Sequence, residues 1–216
     1  MPLAGSWSRR IGERPGRSKT TRKCRVSFSS FSSFSSSPSS PFSFFSSVGT
    51  DLITDRLVLR PWTPEEIAAV VGDERSEHWA EDFPADGDRV IAGFVAGHPD
   101  GPAGSGQRQI LERESGLVVG SIGLFRPARE GVVEFGYGVV ASRRGRGYAS
   151  EAARAIVEFA LDAPEVHTVR ADVELGNPAS IRVLEKAGLR RRVQDATTAR
   201  YQITAQEFAR LSAGPS

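Results

Sequence analysis

The chain has 216 residues, 39% of them hydrophobic and 25% charged, which suits a globular protein of one domain with length to spare. Its net charge of +2 averages two unlike parts: residues 1–48 carry 8 Lys+Arg against one acid, Glu13 (+7), and the other 168 residues carry 20 basic and 25 acidic ones (−5). A nucleic-acid function argued from overall basicity therefore fails for the larger part, no apolar run approaches the ~20 residues that span a bilayer, and a single cysteine, Cys24, excludes an internal disulfide framework and suits a reducing compartment.

Residues 27–47 read SFSSFSSFSSSPSSPFSFFSS, a low-complexity run with neither helix nor strand period. Residues 1–48 are expected to be a disordered, basic, Ser/Phe-rich leader, and residues 49–216 the folded domain. Three explanations of the leader stay open. It resembles a transit peptide in being rich in Arg and Ser and poor in acids. It equally suits a charged tail for an acidic partner. It is also consistent with a segment not translated in the natural protein, the true start lying at or near Val48, with Leu52 as a second candidate. Met1 is the only methionine, and the folded part has 19 Arg to one Lys, as a GC-rich coding sequence tends to give.

Leu52–Trp62 alternates around Leu57 and Leu59 and reads as a strand. Thr63-Pro64-Glu65-Glu66 supplies an N-cap, a proline at the first helical position and first-turn acids, so a short helix follows to about Val71. A second helix is expected over Asp88–Ala96 and a loop over Pro99–Gly106. Gln107–Glu114, Leu117–Phe125 and Val132–Val140 read as strands, the first two joined by a Ser115-Gly116 turn. Ala149–Leu161 has an alanine-rich helical stripe. Thr168–Glu174 is a strand. Asn177–Ala187 is a helix capped by Asn177, opened by Pro178 and closed by Gly188. Leu189–Val193 and Ala199–Thr204 close the chain as a strand pair. The alternation in the middle with hairpins at the ends indicates a mixed α/β sheet.

The chemistry-bearing stretch is Val132–Ala153, VVEFGYGVVASRRGRGYASEAA. A strand runs into Arg144-Gly145-Arg146-Gly147-Tyr148-Ala149, where a helix begins. Glycines at 145 and 147 let the backbone turn its N–H groups inward, the helix N-terminus adds partial positive charge, and Arg143, Arg144 and Arg146 add full charges. That combination is a pyrophosphate cradle. An Arg-Gly run alone also suits nucleic acid or a plain basic loop; the flanking strand and helix favour the cradle. A Rossmann fingerprint needs a third glycine, which is absent.

At these residues the chain resembles the GNAT superfamily of acyl-CoA-dependent N-acetyltransferases. The family's Gln/Arg-x-x-Gly-x-Gly/Ala signature is matched by Arg144, Gly147 and Ala149. The likeness runs from about Leu52 to Leu211 and is strongest to the ribosomal-protein N-terminal acetyltransferases, through Thr54-Asp55-Arg56-Leu57-Val58-Leu59-Arg60, Gly120-Ser121-Ile122-Gly123 and Asn177–Leu189.

The resemblance implies a mixed, mostly antiparallel central sheet, splayed at the cofactor site and flanked by helices. It implies acetyl-CoA as co-substrate, with no metal. Backbone groups of Val139 and Val140 would pair with the pantetheine arm, and the amides of Arg144, Gly145, Arg146, Gly147, Tyr148 and Ala149 would hold the pyrophosphate. Asn177 would contact pantetheine or an active-site water. The strands Val132–Val140 and Thr168–Glu174 would part, so that cofactor and acceptor enter from opposite sides. Leu184 stands where many relatives place a tyrosine acid, so Ser180 becomes the candidate acid, with Tyr148 and Tyr201 as alternatives. Glu134 is the candidate base. Trp79, Asp82 and Phe83 either line the acceptor wall or anchor loops. The expected acceptor is an amine-bearing small molecule or a protein N-terminus, met by a cytoplasmic monomer or homodimer, with nucleic acid and membrane not expected as partners. The rival readings are a CoA-binding module that has lost its chemistry and a nucleic-acid binder acting through the leader.

Overall fold

The computed structural model describes residues 51–97 and 106–213. The leader over 1–48, Cys24 and most of the expected Pro99–Gly106 loop lie outside the described residues. Eight strands form one sheet in the order β1-β2-β3-β4-β5-β6-β8-β7. They are β1 Leu52–Ile53, β2 Leu57–Pro61, β3 Gln107–Glu112, β4 Val118–Arg129, β5 Val132–Val139, β6 Thr168–Glu174, β7 Arg190–Gln194 and β8 Thr198–Thr204. Every pairing is antiparallel except β5 with β6. Among the described residues five α-helices accompany them: α1 Pro64–Val71, α2 Asp86–Ala96, α3 Tyr148–Leu161, α4 Pro178–Lys186 and α5 Ala205–Ser212.

The expected first strand is two. Thr54 breaks the run: its hydroxyl accepts the Leu57 N–H at 3.1 Å, its own N–H reaches the Leu57 carbonyl at 3.0 Å, and the chain turns back on itself. β4 continues four residues past its expected end, because Glu130 and Gly131 adopt positive φ (51° and 71°) and make a tight turn into β5. α1 starts as its sequence dictates, with a capping box in which Glu66 N–H donates to the Thr63 hydroxyl and Thr63 N–H to the Glu66 carboxylate. α5 was not expected. It starts on the same device, Thr204 with Glu207, and Arg192 from β7 ion-pairs with Glu207.

The two sheet faces are distinguishable by register. Residues opposite one another in a ladder point the same way, and neighbours along a strand point opposite ways. Arg108 (β3), Ile122 (β4) and Tyr137 (β5) are in one row. Arg108 stacks on Phe159 of α3, 4.7 Å from its ring centroid, and Tyr137 reaches α4, so α3 and α4 cover this face. The next row, Gln109, Ser121 and Gly138, faces the other way, and Ser121 bonds to Asp88 of α2. α3 seats Ala152, Ala153, Ile156, Val157 and Ala160 in the core, each fully buried. Truncating Ile156 to alanine there costs about 2–5 kcal/mol.

β5 and β6 pair only through Val132–Glu134 and Thr168–Arg170. Beyond Glu134 the two strands part, leaving the edge of β5 from Phe135 to Val139 without a neighbour on that side.

Candidate active site

The loop after β5 opens with a single 3₁₀ turn at Ala141–Arg143. Asp82 accepts from both the N–H and the hydroxyl of Ser142, at 2.9 and 2.6 Å, which fixes that turn. Burial would raise the Asp82 carboxyl, but the bonds from Ser142 outweigh it and hold it below its ordinary value. Trp79 and Phe83 are core residues, 5% and 1% exposed, with ring centroids 5.3 Å apart. All three therefore anchor the fold and the loop.

Gly145 and Gly147 have φ of 77° and 84°, a region that costs a side-chain-bearing residue strain. A Cβ at Gly145 would meet nothing within 4 Å, so the bend opens onto free space. Gly147 is the N-cap of α3, and no side chain caps that helix; the Ser150 N–H turns back to the Gly147 carbonyl at 3.1 Å, which leaves the N–H groups of Tyr148 and Ala149 as its uncapped donors. Tyr148 opens the helix, one residue earlier than expected.

Glu112, at the end of β3 and 4% exposed, ties this loop together. It accepts from the Tyr148 hydroxyl at 2.5 Å, the Ser115 hydroxyl at 2.6 Å, and the guanidinia of Arg143 and Arg146, both at 3.3 Å. Burial alone would raise the Glu112 carboxyl, yet the bonds from Ser115, Tyr148 and Arg143 hold it below the usual value. The hydrogen bond to Glu112 in turn pushes the Tyr148 phenol up. Two of the three arginines thus have a carboxylate partner. Arg144 donates to the Val139 carbonyl at 3.0 Å.

A second clamp comes from the β1–β2 turn. Glu151, in the first turn of α3, accepts from the Thr54 hydroxyl at 2.6 Å and the Arg56 N–H at 2.8 Å, and it ion-pairs with the Arg56 guanidinium at 2.7 Å. Arg56 also donates to the Arg146 carbonyl at 2.9 Å and lies over the Tyr148 ring. The Thr54–Arg56 motif, far away in sequence, holds the glycine loop.

A cleft of about 420 Å³ opens between this loop, the free edge of β5 and α4. Of the expected residues it brings together Val139, Arg144, Gly145, Gly147, Tyr148, Ala149, Asn177 and Ser180. Asn177 both caps α4, its side-chain oxygen accepting the Ser180 N–H at 3.1 Å, and lines the cleft. Ser180 uses its backbone N–H for that cap. Tyr137 lines the cleft as well and escaped the sequence reading. Its hydroxyl donates to the Ser180 carbonyl at 3.3 Å, and burial pushes the phenol up to about 12. Its place two residues before Val139, on the same strand face, was the available signal.

The remaining expected residues sit elsewhere. Val140 is 1% exposed; its N–H donates to Val119 and its carbonyl accepts from Arg143, so its backbone is already engaged. Arg146 is turned to Glu112. Glu134, 8% exposed, stands where β5 and β6 part, but on the α2 face, and it ion-pairs with Arg170 at 3.2 Å. Leu184 is core, Tyr148 is held by Glu112, and the Tyr201 hydroxyl reaches Glu185 at 3.4 Å.

A mixed sheet parted beside a glycine-bent loop, with an uncapped helix N-terminus at the gap, leaves room and free donors suited to an extended ligand that ends in phosphate. The family model described as an acetyltransferase (GNAT) domain matches residues 56–190, well over half the chain, and the chain belongs to that family.

The chain is 32% identical over 82 residues to the uncharacterized N-acetyltransferase YnaD of Bacillus subtilis, a match covering 38% of this chain and 48% of that one. It thus spans about half the length of the curated relatives it matches. Among solved structures it is similar to an aminoglycoside acetyltransferase in complex with coenzyme A and kanamycin (TM-score 0.54, 21% identity, 72% of this chain and 99% of the other). It is also similar to spermidine N-acetyltransferase from Vibrio cholerae in complex with CoA and spermine (TM-score 0.54, 13% identity, 72% and 99%). At these identities the structural likenesses establish the fold.

Proposed function

We propose that the protein is an acetyl-CoA-dependent N-acetyltransferase that moves an acetyl group to a primary amine by direct attack. The observation that carries this reading is the cleft itself, where left-handed glycines, an uncapped α3 N-terminus and an unpaired strand edge converge. The residues fit the co-substrate. Free space at Gly145 and the α3 N–H groups suit a pyrophosphate, and the open edge of β5 before Val140 suits the amide groups of a pantetheine arm, which pair with it as an added strand would.

When bound, acetyl-CoA supplies a thioester, whose carbonyl carbon is open to an amine. The chain's own groups do the rest. Backbone N–H groups of the cradle and the dipole of α3 hold the phosphates, and the two clamps on the loop keep that arrangement formed beforehand. An N–H near Val139 faces the position of the developing oxyanion. Ser180, between Asn177 and the Tyr137 hydroxyl, gives a proton to the departing thiolate. Tyr137 stays protonated throughout the assay range. Glu134 is committed to Arg170 and is not assigned the base role. The similar solved structures are complexes with kanamycin and with spermine, and polycationic amines of that kind are the acceptors favoured for this chain.

Gly147→Trp tests the cradle. A Cβ there meets the Arg56 guanidinium at 3.3 Å and a side chain strains a position at φ 84°, which deforms the bend, so acetyl-CoA binding should be lost in calorimetry while circular dichroism shows a folded chain. Undiminished binding by the folded variant would place the cofactor elsewhere.

A further inference from the structure

The α2 face of the sheet carries a buried polar group of residues that the chemistry above does not use. Asp88 is in the first turn of α2 and 4% exposed. One carboxylate oxygen accepts the Ala85 N–H at 2.9 Å, and the other accepts the Ser121 hydroxyl. Neither bond balances its charge. Among the described residues no Lys, Arg or His ion-pairs with Asp88, and the adjacent Arg89 is drawn to Asp73 at 2.6 Å. Burial raises the carboxyl to about 6. Glu134, the other buried carboxylate of this face, is by contrast paired with Arg170.

Ser121 lies opposite Gln109 on β3 and Gly138 on β5, so the three share a face. Gln109 is 0% exposed, and neither its amide nitrogen nor its oxygen has a hydrogen-bond partner. At the other end of the row, a Cβ on Gly138 would meet nothing within 4 Å. Gly138 also borders the cofactor cleft, at the level where β5 has lost β6. A carboxylate buried without a cation and an amide buried without a partner, next to open space, are features of a site completed by a cationic N–H donor.

We propose that Gln109, Ser121 and Asp88 form the acceptor site: an alkylammonium head group seats over Gly138, and its proton passes through the Ser121 hydroxyl to Asp88. This inference rests on the transferase reading and names its substrate class, a protonated primary amine entering from the α2 side. The ammonium gives one proton to Ser121 Oγ as Ser121 releases its own hydroxyl proton to Asp88. The freed lone pair forms the C–N bond at the acetyl carbonyl carbon. The C–S bond breaks with its electron pair on sulfur, the thiolate takes its proton from Ser180, and the second amine proton, lost as the amide forms, restores the Ser180 hydroxyl. Asp88 then returns its proton to solvent. Ser121 touches the amine; Asp88 acts through it.

The test uses the full chain, with thiol release from acetyl-CoA measured against butylamine, putrescine and spermidine. Asp88→Asn and Ser121→Ala should each lower kcat about 10²-fold, the scale of a lost proton transfer. The KM for acetyl-CoA should stay within about twofold, because the cradle is untouched. The double variant should be no slower than the worse single one, since parts of one relay fail together. Gln109→Leu should raise the KM for the amine with kcat kept. If Asp88→Asn fails to fold, Ser121→Ala carries the same expectation. Wild-type turnover retained in Asp88→Asn or Ser121→Ala overturns the relay, and so does a double-variant loss equal to the product of the single losses. Wild-type protein that binds acetyl-CoA but releases no thiol with any of the three amines overturns it too. Failure of wild-type protein to bind acetyl-CoA instead overturns the transferase reading itself.

Discussion

Replacing Glu112 with alanine probes the claim that one carboxylate organises the cradle loop. Its arginine partners, Arg143 and Arg146, have side chains 23% and 50% exposed. Once released they return to water, so each contributes only about 0.5 kcal/mol. Tyr148 is 6% exposed, and its hydroxyl would lose an acceptor at 2.5 Å without ready access to water, which costs about 1–2 kcal/mol. Ser115 adds roughly 0.5–1 kcal/mol. The total is about 3 kcal/mol, or a fall in Tm of about 6–12 °C for a domain of this size. Thermal unfolding followed by circular dichroism reads it directly. A cycle with Tyr148→Phe should show a coupling of about 1 kcal/mol, because the phenol and the carboxylate share one bond. The KM for acetyl-CoA should rise along with the loss of stability, since the loop that holds the phosphates is loosened. A Glu112→Ala chain within about 0.5 kcal/mol of wild type, or a cycle without coupling, would mean that Glu112 does not organise the loop.

Other perturbations have equally definite outcomes. Asp88 is raised from 3.8 to about 6, so the folded chain still holds this proton at pH values where the unfolded chain has released it. The Asp88 contribution to stability should therefore fall by about 2 kcal/mol as pH rises from 4 through 6, and Asp88→Asn, which lacks this titration, should gain on wild type by that amount over the same range. Urea titrations at both pH values check it; parallel pH profiles for the two proteins would contradict it. Ser180→Ala should lower kcat by about 10²-fold with little change in Tm, as it is the backbone of Ser180 that completes the Asn177 cap. Arg56→Ala removes the pair with Glu151 and the bond to the Arg146 carbonyl, and should raise the KM for acetyl-CoA about tenfold, or 1.4 kcal/mol. Steady-state kinetics that left the KM unchanged would show that the second clamp does not shape the cradle.

What could be read from the residues was local. Pro64 after Thr63, Pro178 after Asn177 and Gly188 after the last apolar turn mark helix ends through backbone rules that need no tertiary context. The glycines at 145 and 147 announce positive φ in the same way, and the family signature at Arg144, Gly147 and Ala149 fell where the cleft opened. α5 was legible and overlooked, for Thr204 and Glu207 spell a capping box directly after a strand. The division of Leu52–Trp62 was harder to see, because the turn at Thr54 is held by Glu151, 97 residues away. The same obstacle hid Glu112, Asp88 and Tyr137, and it hid which loop Asp82 anchors. Their partners, at separations of 33 to 60 residues, are set by sheet register and helix docking. An isolated acid in a strand or a first helical turn gives no hint of which it meets. Three arginines within four residues suggested free positive charge at the cradle, yet Glu112 engages two of them, which shifts more of the phosphate-holding role to backbone N–H groups.

Amine-dependent acetyl transfer at the parted sheet is checked by following thiol release and acetylated product together. Purified chain, acetyl-CoA and the panel of primary amines are incubated, and free thiol is compared with N-acetylated amine by mass spectrometry. Each thiol released should be matched by one acetylated amine, with at least one of the panel accepted and none acetylated by Gly147→Trp. Thiol release without N-acetylated product, or equal product from the Gly147→Trp chain, would contradict it.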